Sequence, residues 1–185
     1  LLPLTHFFLT TLIYYSHYSS PIGPISLAAN EKGLCGLWFD GQKYFKGAIR
    51  NEQIEDCALD GFNAPKSLKD AAAWLDIYFS GGIPNFTPVL DLQGSDFRKK
   101  VWNILLSIPY GKTITYGEIA RRIASEAGFA RMSAQAVGGA VGHNPISIIV
   151  PCHRVLGSDG SLTGYAGGTR RKEWLLKNEK IEWNK

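Results

Sequence analysis

In the stretch IIVPCHRV, Cys152, His153 and Arg154 stand in a row behind Pro151 and an apolar, mostly β-branched run. Cysteine reacts as its thiolate, so a reactive cysteine needs a neighbour that takes its proton against the opposing effect of apolar surroundings. His153 is the adjacent candidate, yet side chains that follow each other in an extended chain point to opposite faces. If the apolar run is a buried strand, the pair can cooperate only where Pro151 ends it and a turn begins, or where a water bridges them. Adjacency alone decides nothing, because many buried cysteines are inert core residues.

A histidine that acts as a base usually has a third group to orient it. In TRRKEWLLKNE, Glu179 falls four residues after Leu175 and so shares the inward face of a helix that ends there. A carboxylate in a last helical turn opposes the helix dipole by roughly 0.3 to 1 kcal/mol, so its placement has a small cost to explain. The alternative is an ordinary solvated glutamate near a chain end.

The elements that must position these residues differ between the two halves of the chain. In the first half, TLIYYSHYSS, ISLAA and LCGLWF are separated by PIGP and NEKG and followed by DGQ, which predicts an antiparallel meander. The segment SLKDAAAWLDIYFSGG predicts a helix started by Ser67 and Asp70 and ended by Gly81 and Gly82. Its apolar face would carry Leu68, Ala71, Ala72, Leu75 and Phe79. IPNFTPVLDLQG, with two prolines and little periodicity, reads as a linker. Residues 1–85 therefore form a small α/β domain and residues 86–185 a second, mainly helical one.

In that second domain Phe97, Val101, Ile104, Leu105 and Ile108 recur at helical spacing behind a Ser95 cap, and PYGK ends the helix. TYGE begins another with a capping box from Thr115 to Glu118, followed inward by Ile119, Ala120 and Ile123. The loop SEAGFARM leads to Ser133, a further cap, and to AQAVGGAVGHNP. Helix, loop and small-residue helix outline a helix-turn-helix. Ala134, Ala136, Gly138, Gly139 and Ala140 leave the last helix almost bare, and each glycine costs roughly 1 kcal/mol relative to alanine. Close approach of another backbone would offset that, and it could be protein or nucleic acid.

The 185 residues are 45% hydrophobic and 12% aromatic, enough for a substantial core. Cys35, Cys57 and Cys152 are an odd number at wide spacing, which suggests neither a disulfide framework nor a zinc ribbon and fits a reducing, intracellular compartment. LLPLTHFFLTTLIYY lacks a cationic region and is interrupted by Pro3, Thr5, His6, Thr10 and Thr11, so it reads as an irregular lead-in plus a first strand rather than a signal peptide. No run approaches the ~20 apolar residues of a membrane span. Residues 1–85 carry six Lys/Arg against eight Asp/Glu and residues 86–185 carry fourteen against eight, leaving −2 and +6. A basic second half suits a polyanion, although charge alone does not exclude a randomly solvated excess.

PCHRV followed by GSDGSLTGYAGG and RKEWLLKNE, and preceded by TYGEIA and AVGGAVGHNP, resembles the O6-alkylguanine-DNA alkyltransferases, also called methylated-DNA-protein-cysteine methyltransferases. The resemblance runs from about Phe97 to Glu179, and the first half matches only loosely. It implies a ribonuclease H-like N-terminal domain followed by a winged-helix-like helix-turn-helix domain. It also implies stoichiometric transfer of an alkyl group from O6 of guanine, and from O4 of thymine, to Cys152. His153 would act as base through a water, Glu179 would orient the imidazole, and Asn144 would tie the active-site turn together. Tyr116 would help rotate the nucleotide out and hydrogen-bond the base, because O6 inside a stacked duplex cannot be reached in line by a thiolate. Tyr165, Ala166 and Lys172 would line the pocket, while backbone groups at Cys152 and Val155 read the base edge.

The family resemblance further implies that the second helix enters the minor groove, with Ala136, Gly138 and Gly139 admitting the sugar-phosphate backbone. Phosphate contacts would then come from among Arg98, Lys99, Lys100, Lys112, Arg121, Arg122, Arg131 and Arg154. One departure stands out: where the family commonly inserts an arginine into the duplex, just before AVGGA, this chain has Gln135. Glutamine fills space and hydrogen-bonds an orphaned base but carries no charge for cation stacking, a loss that Arg131 one turn earlier is placed to offset. The expected partner is duplex DNA containing O6-alkylguanine, met by a cytoplasmic monomer without cofactor. No required metal is expected, since Cys35, Cys57, His6 and His17 suggest no cluster. The small Ala166 points to tolerance of groups larger than methyl. A non-repairing lesion binder or helix-turn-helix regulator is the alternative, but such relatives lack the motif cysteine that this chain keeps. A Cys/His hydrolase would need an oxyanion hole, which nothing marks.

Overall fold

The computed structural model describes residues 11–47, 49, 52–128 and 130–184. The expected lead-in over residues 1–10, with His6, and Phe129 of the predicted loop lie outside the described residues. The meander forms as β1 (Leu12–Ser20), β2 (Gly23–Asn30) and β3 (Gly33–Phe39), joined by two tight turns in which Gly23 and Gly33 take positive φ. At Gly33 a Cβ would sit 2.6 Å from the Val89 carbonyl oxygen, so only glycine lets the chain pass so close.

The sheet is mixed rather than purely antiparallel. A fourth strand, β4 (Gln53–Asp56), pairs parallel to β1 and gives the order β3-β2-β1-β4. All four of its residues are exposed, so QIED carries none of the hydrophobic alternation that marks a half-buried strand. At the opposite edge, two segments cover β3. Leu34 donates its N–H to Val89 O and accepts from Asp91 N, both at 2.8 Å, while Leu37 does the same with Pro145 O and Ser147 N at 2.9 and 2.8 Å. The expected linker is thus stitched to a sheet edge that would otherwise stay unpaired.

α1 (Lys66–Phe79) begins behind Pro65, and Ser67 and Asp70 do not cap it. Pro65 presets the entry φ, Ser67 is buried in the first turn, and Asp70 pairs with Lys66 one turn back. Leu68, Ala71 and Leu75 face inward as predicted and are joined by Trp74 and Tyr78, whereas Ala72 and Phe79 are only half-buried.

The helical half follows its sequence signals closely. α2 (Asp96–Leu106) is capped by Ser95, α3 (Tyr116–Ala127) by the reciprocal Thr115–Glu118 box, and α4 (Ala134–Gly142) by Ser133. These three helices pack on one another through Val101, Trp102, Ile119, Ile123 and Val137, and the Trp102 indole donates to Ala140 O at 2.8 Å. A short parallel pair, β5 (Ile114–Thr115) with β6 (Val155–Leu156), and α5 (Thr169–Asn178) complete the chain. The largest apolar cluster runs through both halves, joining Leu27, Leu37 and Leu75 to Leu105, Val150 and Leu175, with smaller clusters around Trp38 and Leu176. Among the described residues no helix is long and apolar enough to cross a membrane.

Candidate active site

The run before Cys152 is not a strand, contrary to the sequence expectation. Residues 146–150 form a buried turn that touches β3 through a single bridge, Leu37 to Ile146. Ile148 takes φ +69, an unusual conformation for a β-branched residue that only surrounding structure can enforce. Asn144 supplies the enforcement: its Oδ1 accepts from Ile146 N at 3.0 Å, and its Nδ2 donates to Val150 O at 2.7 Å and to Cys152 Sγ at 3.1 Å. An apolar run cannot announce this, because burial of every side chain fits a core strand and a packed turn equally well. Pro151 then starts a 3₁₀ turn, Cys152–Arg154, so Cys152 and His153 do not sit on opposite faces of a strand.

Behind this turn lies a cluster of charged and polar groups around one carboxylate. Glu179 caps the C-terminus of α5 and is 2% exposed, so the solvated-glutamate alternative does not hold. Its Oε1 accepts from His153 Nε2 at 2.6 Å, Tyr78 OH at 2.8 Å and Arg154 Nη2 at 3.1 Å. Its Oε2 accepts from Arg154 Nε at 2.7 Å and Gly111 N at 3.2 Å. Arg154 also donates through Nη1 to Ile108 O at 2.6 Å. The two charges of this cluster, on Glu179 and Arg154, are thereby paired, which is the condition under which a buried ion pair is tolerated.

The electrostatics follow from that arrangement. Burial pushes the Glu179 carboxyl up, but the hydrogen bonds from His153 and Arg154 and the guanidinium charge outweigh it and bring it to about 2. Burial lowers the His153 imidazole below its ordinary value despite Glu179, so it is neutral at pH 7. An ionised Glu179 fixes the tautomer: Nε2 carries the proton and Nδ1 is left as a buried acceptor with no hydrogen bond among the described residues. Burial also raises the Cys152 thiol, against the opposing effects of Asn144 Nδ2 and the Lys172 ammonium. Cys152 therefore rests as a thiol and needs a base, and a neutral imidazole is next to it.

In front of Cys152 the site opens. A cavity of about 360 Å³ is walled by Tyr116 at the start of α3, by Gly138, Gly139 and Gly142 on α4, and by Gly164, Tyr165 and Ala166. Tyr116 OH is 2.8 Å from Thr163 Oγ1. A Cβ at Gly139, Gly142 or Gly164 would meet nothing within 4 Å, so packing within this chain does not require their bareness. Gln135, Ala136 and Arg131 are exposed around the outer face of α4.

Three expected site residues are placed differently. Arg154 is turned inward on Glu179 rather than outward to a phosphate, because the 3₁₀ turn points it at that buried carboxylate. Val155 is fully buried outside the cavity, and its backbone is engaged, with N–H donating to Cys152 O and O accepting from Lys172 Nζ at 2.6 Å. Lys172 is likewise fully buried behind the pocket wall rather than in it, where burial lowers its ammonium to about 8. Sequence reasoning did not reach Tyr78, Gly111, Lys43 or Tyr44, the last two of which also line the cavity. Only Tyr78 left a signal, as a tyrosine on an inward helix face whose hydroxyl must find a partner. Among the described residues no group of three or more His, Cys, Asp or Glu could hold a metal ion.

Residues 96–181 match the family described as 6-O-methylguanine DNA methyltransferase, DNA binding domain, and residues 13–92 match its ribonuclease-like domain. A methylated-DNA--protein-cysteine methyltransferase of Methanosarcina barkeri is 48% identical over 167 residues, covering 90% of this chain and 97% of that protein. Its counterpart in Mycobacterium tuberculosis is 44% identical over 169 residues, covering 91% and 93%. The crystal structure of Mycobacterium tuberculosis OGT in complex with DNA superposes with a TM-score of 0.73 at 43% identity, covering 90% and 92%. With matches across both halves of the chain, and a cysteine at the cavity backed by a paired histidine and glutamate, this chain belongs to the 6-O-methylguanine DNA methyltransferase family.

Proposed function

We propose that this chain repairs DNA by moving a methyl or larger alkyl group from O6 of guanine, and from O4 of thymine, to Cys152 Sγ. The observation that carries the reading is the pairing of a resting thiol at the cavity with a neutral imidazole whose Nε2 is fixed on Glu179. His153 Nδ1 takes the Cys152 proton through a bridging water, and the thiolate attacks the alkyl carbon in line. The carbon–O6 bond breaks, its electron pair stays on the purine, and Tyr116 OH donates to the base as that charge develops. Asn144 holds the turn and Glu179 holds the imidazole. The product is a thioether, which has no easily expelled leaving group, so each molecule acts once.

The substrate base must leave the duplex to reach Cys152, and the bare face of α4 supports its route. Gly138 and Gly139 admit the sugar-phosphate backbone in the minor groove, with Gln135 filling the vacated stack. The exposed Lys99, Lys100, Lys112, Arg121, Arg122 and Arg131 are candidates for phosphate contacts. The named relatives support DNA as the partner. Under this reading residues 1–85 form a ribonuclease H-like scaffold and residues 86–185 a winged-helix-like acceptor domain, working as a cytoplasmic monomer. Incubation with a duplex carrying one O6-methylguanine, followed by intact-mass measurement, should show one methyl gained per molecule and no second turnover. Tight binding without a mass gain would instead support a lesion-binding role.

A further inference from the structure

The loop that follows β3, residues 40–47, belongs to the sheet-bearing half of the chain, yet Lys43 and Tyr44 stand in the wall of the Cys152 cavity. Tyr44 also bounds a second cavity, of about 380 Å³, whose other walls include Trp38, Trp102, His143 and Asn144. Tyr44 therefore belongs both to the space in front of Cys152 and to a neighbouring space of similar size.

The ring is held in that position. Tyr44 has φ +62, a left-handed conformation that L side chains rarely adopt without support. Its ring stacks on the His143 imidazole with centroids 3.7 Å apart and planes at 22°, and His143 Nδ1 is itself 2.7 Å from Gly139 O. The loop is anchored on both flanks. Lys43 N donates to Ala166 O at 3.0 Å, Gln42 Oε1 accepts from Ser147 Oγ at 3.1 Å, and the Lys46 ammonium lies 3.8 Å from the centre of the Tyr15 ring.

Much of the remaining wall is small: Gly138, Gly139, Gly142, Gly164 and Ala166 carry at most a methyl. The larger Val141, Tyr116 and Tyr165 are packed against the apolar core, and Tyr116 is engaged with Thr163. Tyr44 is the residue common to the walls of both cavities, so removing its side chain would join the two spaces. Resting on the alkyl-transfer reading above, we infer that Tyr44, stacked on His143, is a size gate for the O6 substituent: it favours small alkyl groups by closing the Cys152 cavity toward its neighbour.

The test compares single-turnover transfer from duplexes carrying O6-methylguanine and O6-benzylguanine. Glycine tolerates the left-handed backbone, so Tyr44→Gly removes the ring without bending the loop. The benzyl-to-methyl rate ratio should rise roughly 10-fold in Tyr44→Gly, the lower range for a change in one wall of an apolar pocket. It should rise less in His143→Ala, which loosens the ring, and remain at the wild-type value in Tyr44→Phe, which keeps it. Should Tyr44→Gly fail to fold, the His143→Ala ratio decides in the same direction. A ratio that stays level or falls while methyl transfer proceeds overturns the gate alone. Absence of transfer by the wild type from either duplex overturns the reading on which the gate rests.

Discussion

The two sides of Cys152 are built on opposite rules. Behind it, Glu179, His153, Arg154 and Tyr78 form a dry cluster in which each charge has a partner and five donors converge on one carboxylate. In front of it, glycines and aromatic rings surround open space, and added methyl groups would touch little. The contrast separates reactivity from access. The rear cluster holds the base and fixes its proton, while the front decides what reaches the thiol. Substitutions behind the cysteine should therefore change stability and rate together, and substitutions in front should change binding or selectivity at nearly constant stability.

The largest effect is expected at the centre of the rear cluster. Glu179→Ala strands Arg154, the Tyr78 hydroxyl and the Gly111 N–H in the interior, and should cost about 3 to 5 kcal/mol in urea unfolding. A loss below about 1 kcal/mol would mean that the cluster is not a rigid support for the base. The sign of the pH dependence follows. Glu179 is held below its ordinary value, so its stabilisation is full above the unfolded carboxylate value of about 4.3 and is lost as pH falls toward about 2. His153 is buried neutral, so the unfolded chain takes a proton first and stability also declines as pH falls below 6.5. The Glu179→Ala variant should lose the lower of these two acid-sensitive ranges.

A more selective break comes at His153. His153→Ala should slow alkyl transfer by about 100-fold or more, the usual contribution of a positioned base, while duplex affinity measured by titration changes little. Equal losses in both would overturn the assignment of His153 to the chemistry. In the wild type, the transfer rate should hold near neutrality and fall on an acid limb lying below pH 6.5, because only the neutral imidazole accepts the thiol proton. The smallest effect is expected in front. Gln135 is exposed, so Gln135→Arg should tighten binding to damaged duplex by a few-fold and leave stability within about 0.5 kcal/mol. Unchanged affinity together with an unchanged repair rate would remove Gln135 from the flipping account.

Much of the frame is legible in the sequence because its signals are local. Ser95, Thr115 with Glu118, and Ser133 announce their helices by capping chemistry, and β1 to β3 follow from short apolar runs between turn residues. Glu179 is legible for the same reason, since helical spacing puts it below Leu175. What the sequence conceals depends on distant parts of the chain. QIED becomes a strand only because β1 offers an edge, and IIV becomes a turn only because Asn144 satisfies its backbone. Tyr78 meets Glu179 across 101 residues, and Tyr44 reaches the cavity from the other half of the molecule, so no spacing rule predicts either. Arg154 shows the converse failure: an arginine beside the nucleophile reads as a phosphate contact until the 3₁₀ turn directs it inward.

The central claim is that the rear cluster makes one thiol of three the acceptor. Cys35 is raised to about 12 by burial and nearby carboxylates, and Cys57 is raised by partial burial and its acidic neighbours. Only Cys152 combines a facing cavity with a neutral imidazole beside it. The direct measurement is peptide mapping after reaction with one equivalent of O6-methylguanine duplex. The methyl should appear only on the Cys152 peptide and be absent when His153→Ala is mapped at the same reaction time. Methyl on the Cys35 or Cys57 peptide, or equal labelling of Cys152 without His153, would contradict the account.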